Sequence, residues 1–158
     1  MQDTGMVRRI DELGRVVIPK EIRKTLRIKE GDPLEIYTDK EELVLRKYSP
    51  IASLGDFSSS VAEGVEKITE KSCIITDTDK VVFVTGKDKG LEGKTLSDKM
   101  NAIMKERKSV LIASGEGAEP VCVTESDKGA ENQIIVPIVS GGDCYGTVSY
   151  THLTLPTT

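Results

Sequence analysis

Thr4–Leu26 reads TGMVRRIDELGRVVIPKEIRKTL, and the order of its apolar, basic and turn-forming residues decides how the first fifty residues fold. Met6–Ile10 and Arg15–Ile18, the latter with its Val16–Val17–Ile18 run, read as two short strands. Between them Asp11–Glu12–Leu13–Gly14 is polar and ends in glycine, which suits a chain reversal. Pro19 follows at once. Its missing N–H costs nothing in the first turn of a helix, and this helix is predicted to run to about Leu26 and to stop near Gly31. Leu34–Thr38 and Leu43–Tyr48 then form a second predicted hairpin around the polar Asp39–Glu42 turn. Four short strands and one two-turn helix bury little core, so a unit of this size without disulfide or metal is marginal as a monomer. Pairing with a second copy is the expected remedy, and it makes stability depend on concentration.

The formal net charge of the 158 residues is −4, which by itself argues against a polyanionic partner. Its distribution reverses that reading. Residues 1–53 hold 11 basic against 10 acidic residues, residues 54–158 hold 11 against 16, and residues 8–29 alone hold 8 against 3. A local basic patch can bind phosphate on an otherwise acidic chain. In the predicted helix Lys20, Arg23, Lys24 and Arg27 stand at i, i+3, i+4 and i+7, one stripe of a single face, with Ile22 and Leu26 opposite and free to pack on the strands. Arg8, Arg9 and Arg15 lie on the two strands joined by the first turn. Arginine's planar fork fits phosphates and guanine edges, so these seven residues are the candidate nucleic-acid contacts.

Beyond residue 50 the pattern changes. Tyr48–Ser49–Pro50 breaks the hairpin, Asp56 and Ser58–Ser60 offer helix N-caps, and Phe57, Val61, Val65 and Ile68 recur as a narrow apolar seam. Residues 54–71 are therefore read as a linker helix that either pairs with another helix or covers its own domain. Cys73–Thr76 and Val81–Thr85 flank the turn Asp77–Lys80. Leu96–Lys108 has helical spacing, with Leu96, Met100, Ile103 and Met104 on one face. Val121–Thr124 and Gln133–Val139 read as strands, Ser140–Asp143 as a turn, and a further strand begins at Cys144. Residues 72–147 thus predict an α+β domain with an antiparallel sheet. Val148–Thr157, VSYTHLTLPT, looks like the translation of a transposon-end sequencing adaptor. Residues 148–158, with the single histidine His152, are accordingly set aside from the fold as a scar.

With these motifs quoted, Thr4–Leu26 resembles the AbrB-type swapped-hairpin transcription regulators, and Gly31–Tyr37 with Leu45–Tyr48 extends the likeness to about residue 50. The resemblance implies an all-β dimeric barrel with one short helix, built from interleaved hairpins of two chains. It also implies DNA contacts from the residues matching Arg8, Arg15, Arg23 and Lys24. Tyr48–Ile51 and Leu54–Phe57 are similar to the stage V sporulation protein T family of endospore-forming bacteria, whose second domain is GAF-like. Cys73–Asp77 and Val136–Val139 fit such a domain. The likeness implies sporulation or stationary-phase genes as targets, double-stranded DNA as partner, and a homodimer through residues 1–53. A tetramer through the linker helix and GAF-like domain is a further implied assembly. A complete domain of that kind continues with another core strand and a C-terminal helix, so the GAF-like part is expected to be truncated.

Other readings are weaker. Gly93–Lys94–Thr95 suggests a phosphate loop, but Asp88 stands where that motif requires glycine. No catalytic or metal site and no cofactor is expected, and no motif in residues 72–147 names a ligand for the GAF-like domain. Cys73, Cys122 and Cys144 form no CxxC pair and read as reduced thiols of a cytoplasmic, nucleoid-associated protein. No apolar run approaches a membrane span. Two alternatives stand beside the DNA-binding regulator: an antitoxin-like swapped-hairpin protein, and a small-molecule sensor that does not bind DNA.

Overall fold

A computed structural model of the chain describes residues 3–152, apart from 114, 116, 118, 128 and 131. The chain divides into two compact units, Met1–Tyr48 and Ser49–Thr158. The division falls five residues ahead of the boundary read from the sequence, because Ser49 already caps the first helix of the second unit.

In the first unit the Asp11–Gly14 reversal forms as expected. The Asp11 N–H donates to the Arg15 carbonyl at 3.1 Å, and Gly14 takes a positive φ of 77° that favours glycine. The flanking runs Met6–Ile10 and Arg15–Ile18 are not strands within this chain. A strand exists by its ladder, and among the described residues the chain provides these two arms with no ladder partner. Helix α1 spans Lys20–Leu26, with Pro19 one position earlier than expected, as the N-cap. It ends where Arg27 turns left-handed, and the N–H groups of Arg27 and Ile28 return to the Lys24 and Arg23 carbonyls. Strands β1 (Leu34–Asp39) and β2 (Glu42–Lys47) pair antiparallel, with Asp39 opposite Glu42 across a two-residue turn.

The second unit opens with two helices. Pro50–Ser53 (α2) is capped by the Ser49 hydroxyl, which accepts the Ala52 N–H and donates to Asp77 Oδ2 at 2.9 Å. Gly55–Thr69 (α3) follows. A five-stranded antiparallel sheet is built from β3 (Ser72–Thr76), β4 (Val81–Val84), β5 (Val110–Ile112), β6 (Asn132–Ser140) and β7 (Asp143–His152), in the order β4-β3-β7-β6-β5. Gly141 and Gly142, with φ of 58° and 87°, supply the positive angles of the tight turn that returns β6 into β7. Helix α4 (Asp98–Glu106) is capped by Ser97.

The sheet is apolar on both faces. Ile74, Val81, Val84, Met100, Met104, Ile112, Val123 and Ile135 make the core on the α4 side. Ile51, Ala62, Cys73 and Ile75, with Val61 and Val65, make the core on the α3 side. Val61 and Val65 therefore cover their own domain, whereas Phe57 and Ile68 of the same seam are 65% and 86% exposed. Two expectations need correction here. Val121–Thr124 makes no ladder beyond an isolated Leu96–Thr124 bridge. The Gln133 carboxamide bonds both the N–H and the carbonyl of Val121 at 2.8 Å, standing in for a neighbouring strand while Val121 and Val123 enter the core. Residues 148–152, set aside as lying outside the fold, continue β7 between β3 and β6. Val148 faces Ile75 and Val136, and Ser149 is fully buried. Residues 153–158 lie outside the described residues.

Candidate nucleic-acid interface

Residues 3–48 contain a single buried residue, Pro19. Val7, Ile10, Leu13 and Val17 are each at least 70% exposed, and Ile36 and Leu43 stand nearly as open on the hairpin. Apolar side chains left open in this number carry a large hydrophobic penalty, about 25 cal/mol for each Å² that could be covered. Ile22 is only half-buried and Leu26 is 55% exposed, so the apolar side of α1 does not find the expected packing within one chain.

All seven candidate contacts are exposed. Lys20, Arg23 and Lys24 lie on α1. Arg27 falls at its left-handed C-cap, so the helical stripe holds three of the four expected residues. Arg8 and Arg9 precede the reversal and Arg15 follows it. Arg8 Nη1 donates to its neighbour's carbonyl, Val7 O, at 3.2 Å.

Arg15 is the one held by the turn itself. Asp11 Oδ1 accepts the N–H groups of Leu13 and Arg15 at 2.9 and 2.8 Å, and Asp11 Oδ2 accepts Arg15 Nε–H at 2.7 Å. The Arg15 backbone N–H first, and then its guanidinium, hold the Asp11 carboxyl below its ordinary pKa. Asp11 was read from the sequence only as a turn former. The available signal was its position three residues before a glycine, where an Asp side chain bonds the following backbone. On the other hairpin Arg46 lies over the Tyr37 ring, 5.2 Å from its centre, an arrangement that the pairing of β1 with β2 creates.

Among the described residues no group of histidine, cysteine and carboxylate side chains could hold a metal, and no helix is long and apolar enough to cross a membrane.

Comparison with known proteins gives two family matches, which meet at residue 53. The family described as stage V sporulation protein T C-terminal, transcription factor, matches residues 53–153, a span that includes all of β7. The family described as antidote-toxin recognition MazE, bacterial antitoxin, matches residues 7–53. Stage V sporulation protein T of Bacillus subtilis (strain 168) is 44% identical over 150 residues, 94% of this chain and 83% of that protein. The transition state regulatory protein AbrB of the same organism is 62% identical over 50 residues, 32% of this chain and 52% of that protein. The solution structure of the N-domain of the transcription factor AbrB, also 62% identical, covers 32% of this chain and 96% of its own, with a TM-score of 0.30. With an AbrB-type unit at its N-terminus and the matching transcription-factor domain after it, the chain belongs to the stage V sporulation protein T family.

Proposed function

We propose that this DNA-binding transcription regulator of sporulation grips double-stranded DNA on a basic surface made by two interleaved N-terminal units. Arg8, Arg9, Arg15, Lys20, Arg23, Lys24 and Arg27 supply the contacts. The observation that carries the reading is that residues 3–48 expose their arginines and their apolar side chains together and bury only Pro19. A second copy can cover the apolar set, close the unpaired arms into a barrel and double the positive charge. In this reading the second unit is a GAF-like domain for sensing or oligomerisation. The exposed Leu54, Phe57 and Ile68 along α3 are available to join dimers into a tetramer. The protein then works on the nucleoid.

The antidote-toxin recognition match over residues 7–53 favours an antitoxin-like reading of the same unit. Against it stands the folded second unit with two hydrophobic cores, since a toxin-wrapping tail is a disordered segment that orders on binding.

A salt titration of DNA binding tests the proposal. Four residues, Arg8, Arg15, Arg23 and Lys24, present about eight phosphate contacts from two chains. Affinity should therefore fall roughly 10³–10⁵-fold between 50 and 200 mM salt. Arg23→Ala should keep the fold, because its side chain is exposed. It should weaken binding and flatten the slope by about two, one for each chain. Folded Arg15→Ala and Arg23→Ala variants with unchanged affinity and slope would place the DNA elsewhere.

A further inference from the structure

On the reading that Arg15 meets DNA, we propose that Asp11 is a positioning residue. It aims the Arg15 guanidinium for base readout and restrains its non-specific grip on phosphate.

The seven candidate contacts are alike in charge and exposure but not in how they are held. The anchor of Arg15 is a side chain that is itself fixed. Asp11 Oδ1 accepts two backbone N–H groups of the turn, from Leu13 and Arg15, so the carboxylate cannot swing freely. Its second oxygen then takes Arg15 Nε–H at 2.7 Å. The Asp11 N–H bond to the Arg15 carbonyl and the Gly14 N–H bond to the Asp11 carbonyl, both 3.1 Å, close the same turn. The guanidinium is therefore tied to four residues of backbone rather than to its own flexible stem.

Two consequences follow from the chemistry. The contact is made through Nε, so it does not consume the fork of the two terminal nitrogens, the part that reads guanine O6 and N7 bidentately. An arginine stem held in place loses less rotamer freedom when the fork engages. The second consequence is electrostatic. The carboxylate partly neutralises Arg15 and repels the full charge of an approaching phosphate, so the penalty falls chiefly on the phosphate-bound mode that arbitrary sequences share. Guanine O6 and N7 carry only partial charge, so a base edge engages the fork with less of that penalty. Asp11 thus lowers affinity for arbitrary DNA and raises the ratio of specific to non-specific binding.

The test uses the full chain and two probes: a duplex enriched by the wild type from a randomised library, and a scrambled duplex of the same composition. Binding to both is measured for wild type, Asp11→Asn, Arg15→Ala and the double variant, with thermal melts as the folding control. Asn keeps the carbonyl oxygen that the turn needs but removes the charge and presents an amide donor to Nε. Asp11→Asn should bind the scrambled duplex more tightly and lower the specific-to-scrambled ratio by roughly fivefold, the value of one bidentate base contact at its lower limit. In the Arg15→Ala background the same change should leave the ratio where Arg15→Ala alone puts it. A folded Asp11→Asn with an unchanged ratio, or one that lowers the ratio equally with and without Arg15, overturns the positioning role. Unaltered binding of Arg15→Ala instead overturns the reading beneath it. Should Asp11→Asn fail to fold, nitrogen-15 relaxation of arginine Nε–H groups in the free wild type decides. Arg15 Nε should be markedly less mobile than Arg9 Nε, and equal mobility refutes the proposal.

Discussion

Cysteine 73 shows how a single residue's surroundings set its chemistry. It sits on β3 under α3 with no exposed surface, and burial, followed by the nearby negative charge of Glu66, pushes its thiol from 9.0 up to about 11. The thiolate is the reactive form, and raising the pKa removes it at neutral pH. In native protein at pH 8, alkylation by iodoacetamide should therefore modify Cys122 and Cys144, which are partly exposed, well before Cys73. Denaturant should bring all three to similar rates. Mass spectrometry of the labelled peptides checks this, and native-state labelling of Cys73 at the rate of Cys144 would contradict the packing of α3 on β3. The same contrast separates the arginines. Arg8 holds its neighbour's carbonyl, whereas Arg15 is held by the carboxylate four residues before it.

Among the elements, β7 holds the second unit together, because it lies between β3 and β6 in the middle of the sheet. Its approach to β3 depends on Gly146. A Cβ there would overlap the Thr76 carbonyl oxygen, backbone that cannot give way as a flexible side chain could. Next to it the buried Thr76 and Thr147 hydroxyls bond each other at 2.9 Å, and the Thr147 N–H reaches Thr76 Oγ1. Gly146→Ala must push the two strands apart and break this pair. It should destabilise the second unit by about 1–3 kcal/mol or more, the usual scale of overpacking. Urea denaturation followed by circular dichroism reads the loss as a lower midpoint, and an unchanged midpoint would show that β3 and β7 do not approach this closely. Residues 148–152 belong to the same argument. Placed in the centre of the sheet, they bring Val148 onto the α3-side core and bury Ser149.

At the scale of the whole molecule the two units differ in kind. The second buries two cores of its own, one on each face of its sheet. The first buries only Pro19 among residues 3–48. If two copies interleave, a fragment of residues 1–53 should sediment as a dimer at micromolar concentration, and its melting temperature should rise with protein concentration. A cooperative, concentration-independent monomer would refute the interleaved barrel. The second unit, with its own two cores, should melt as a separate transition that responds to Gly146→Ala.

Local chemistry explains what the sequence determined by itself. The Asp11–Gly14 reversal, α1 ending near Leu26, the Asp39–Glu42 hairpin, a helix within Leu96–Lys108 with Met100 and Met104 on one face, and the turn in Ser140–Asp143 all rest on contacts within a few residues. Propensity and spacing therefore suffice to read them. The basic excess of residues 8–29, with Arg8, Arg9, Arg15, Lys20, Arg23, Lys24 and Arg27 all exposed, is legible in the same way. Tertiary structure decided the rest, because the deciding partner lies far away along the chain. Val121–Val123 has strand composition but is met by the Gln133 side chain instead of a strand. Val110–Ile112 is a strand only because β6 runs beside it. The Val148–His152 run, set aside for its likeness to an adaptor translation, forms the second half of the central strand, between β3 and β6. Met6–Ile10 and Arg15–Ile18 have strand composition yet, among the described residues, no ladder partner, and backbone hydrogen bonds need a neighbour.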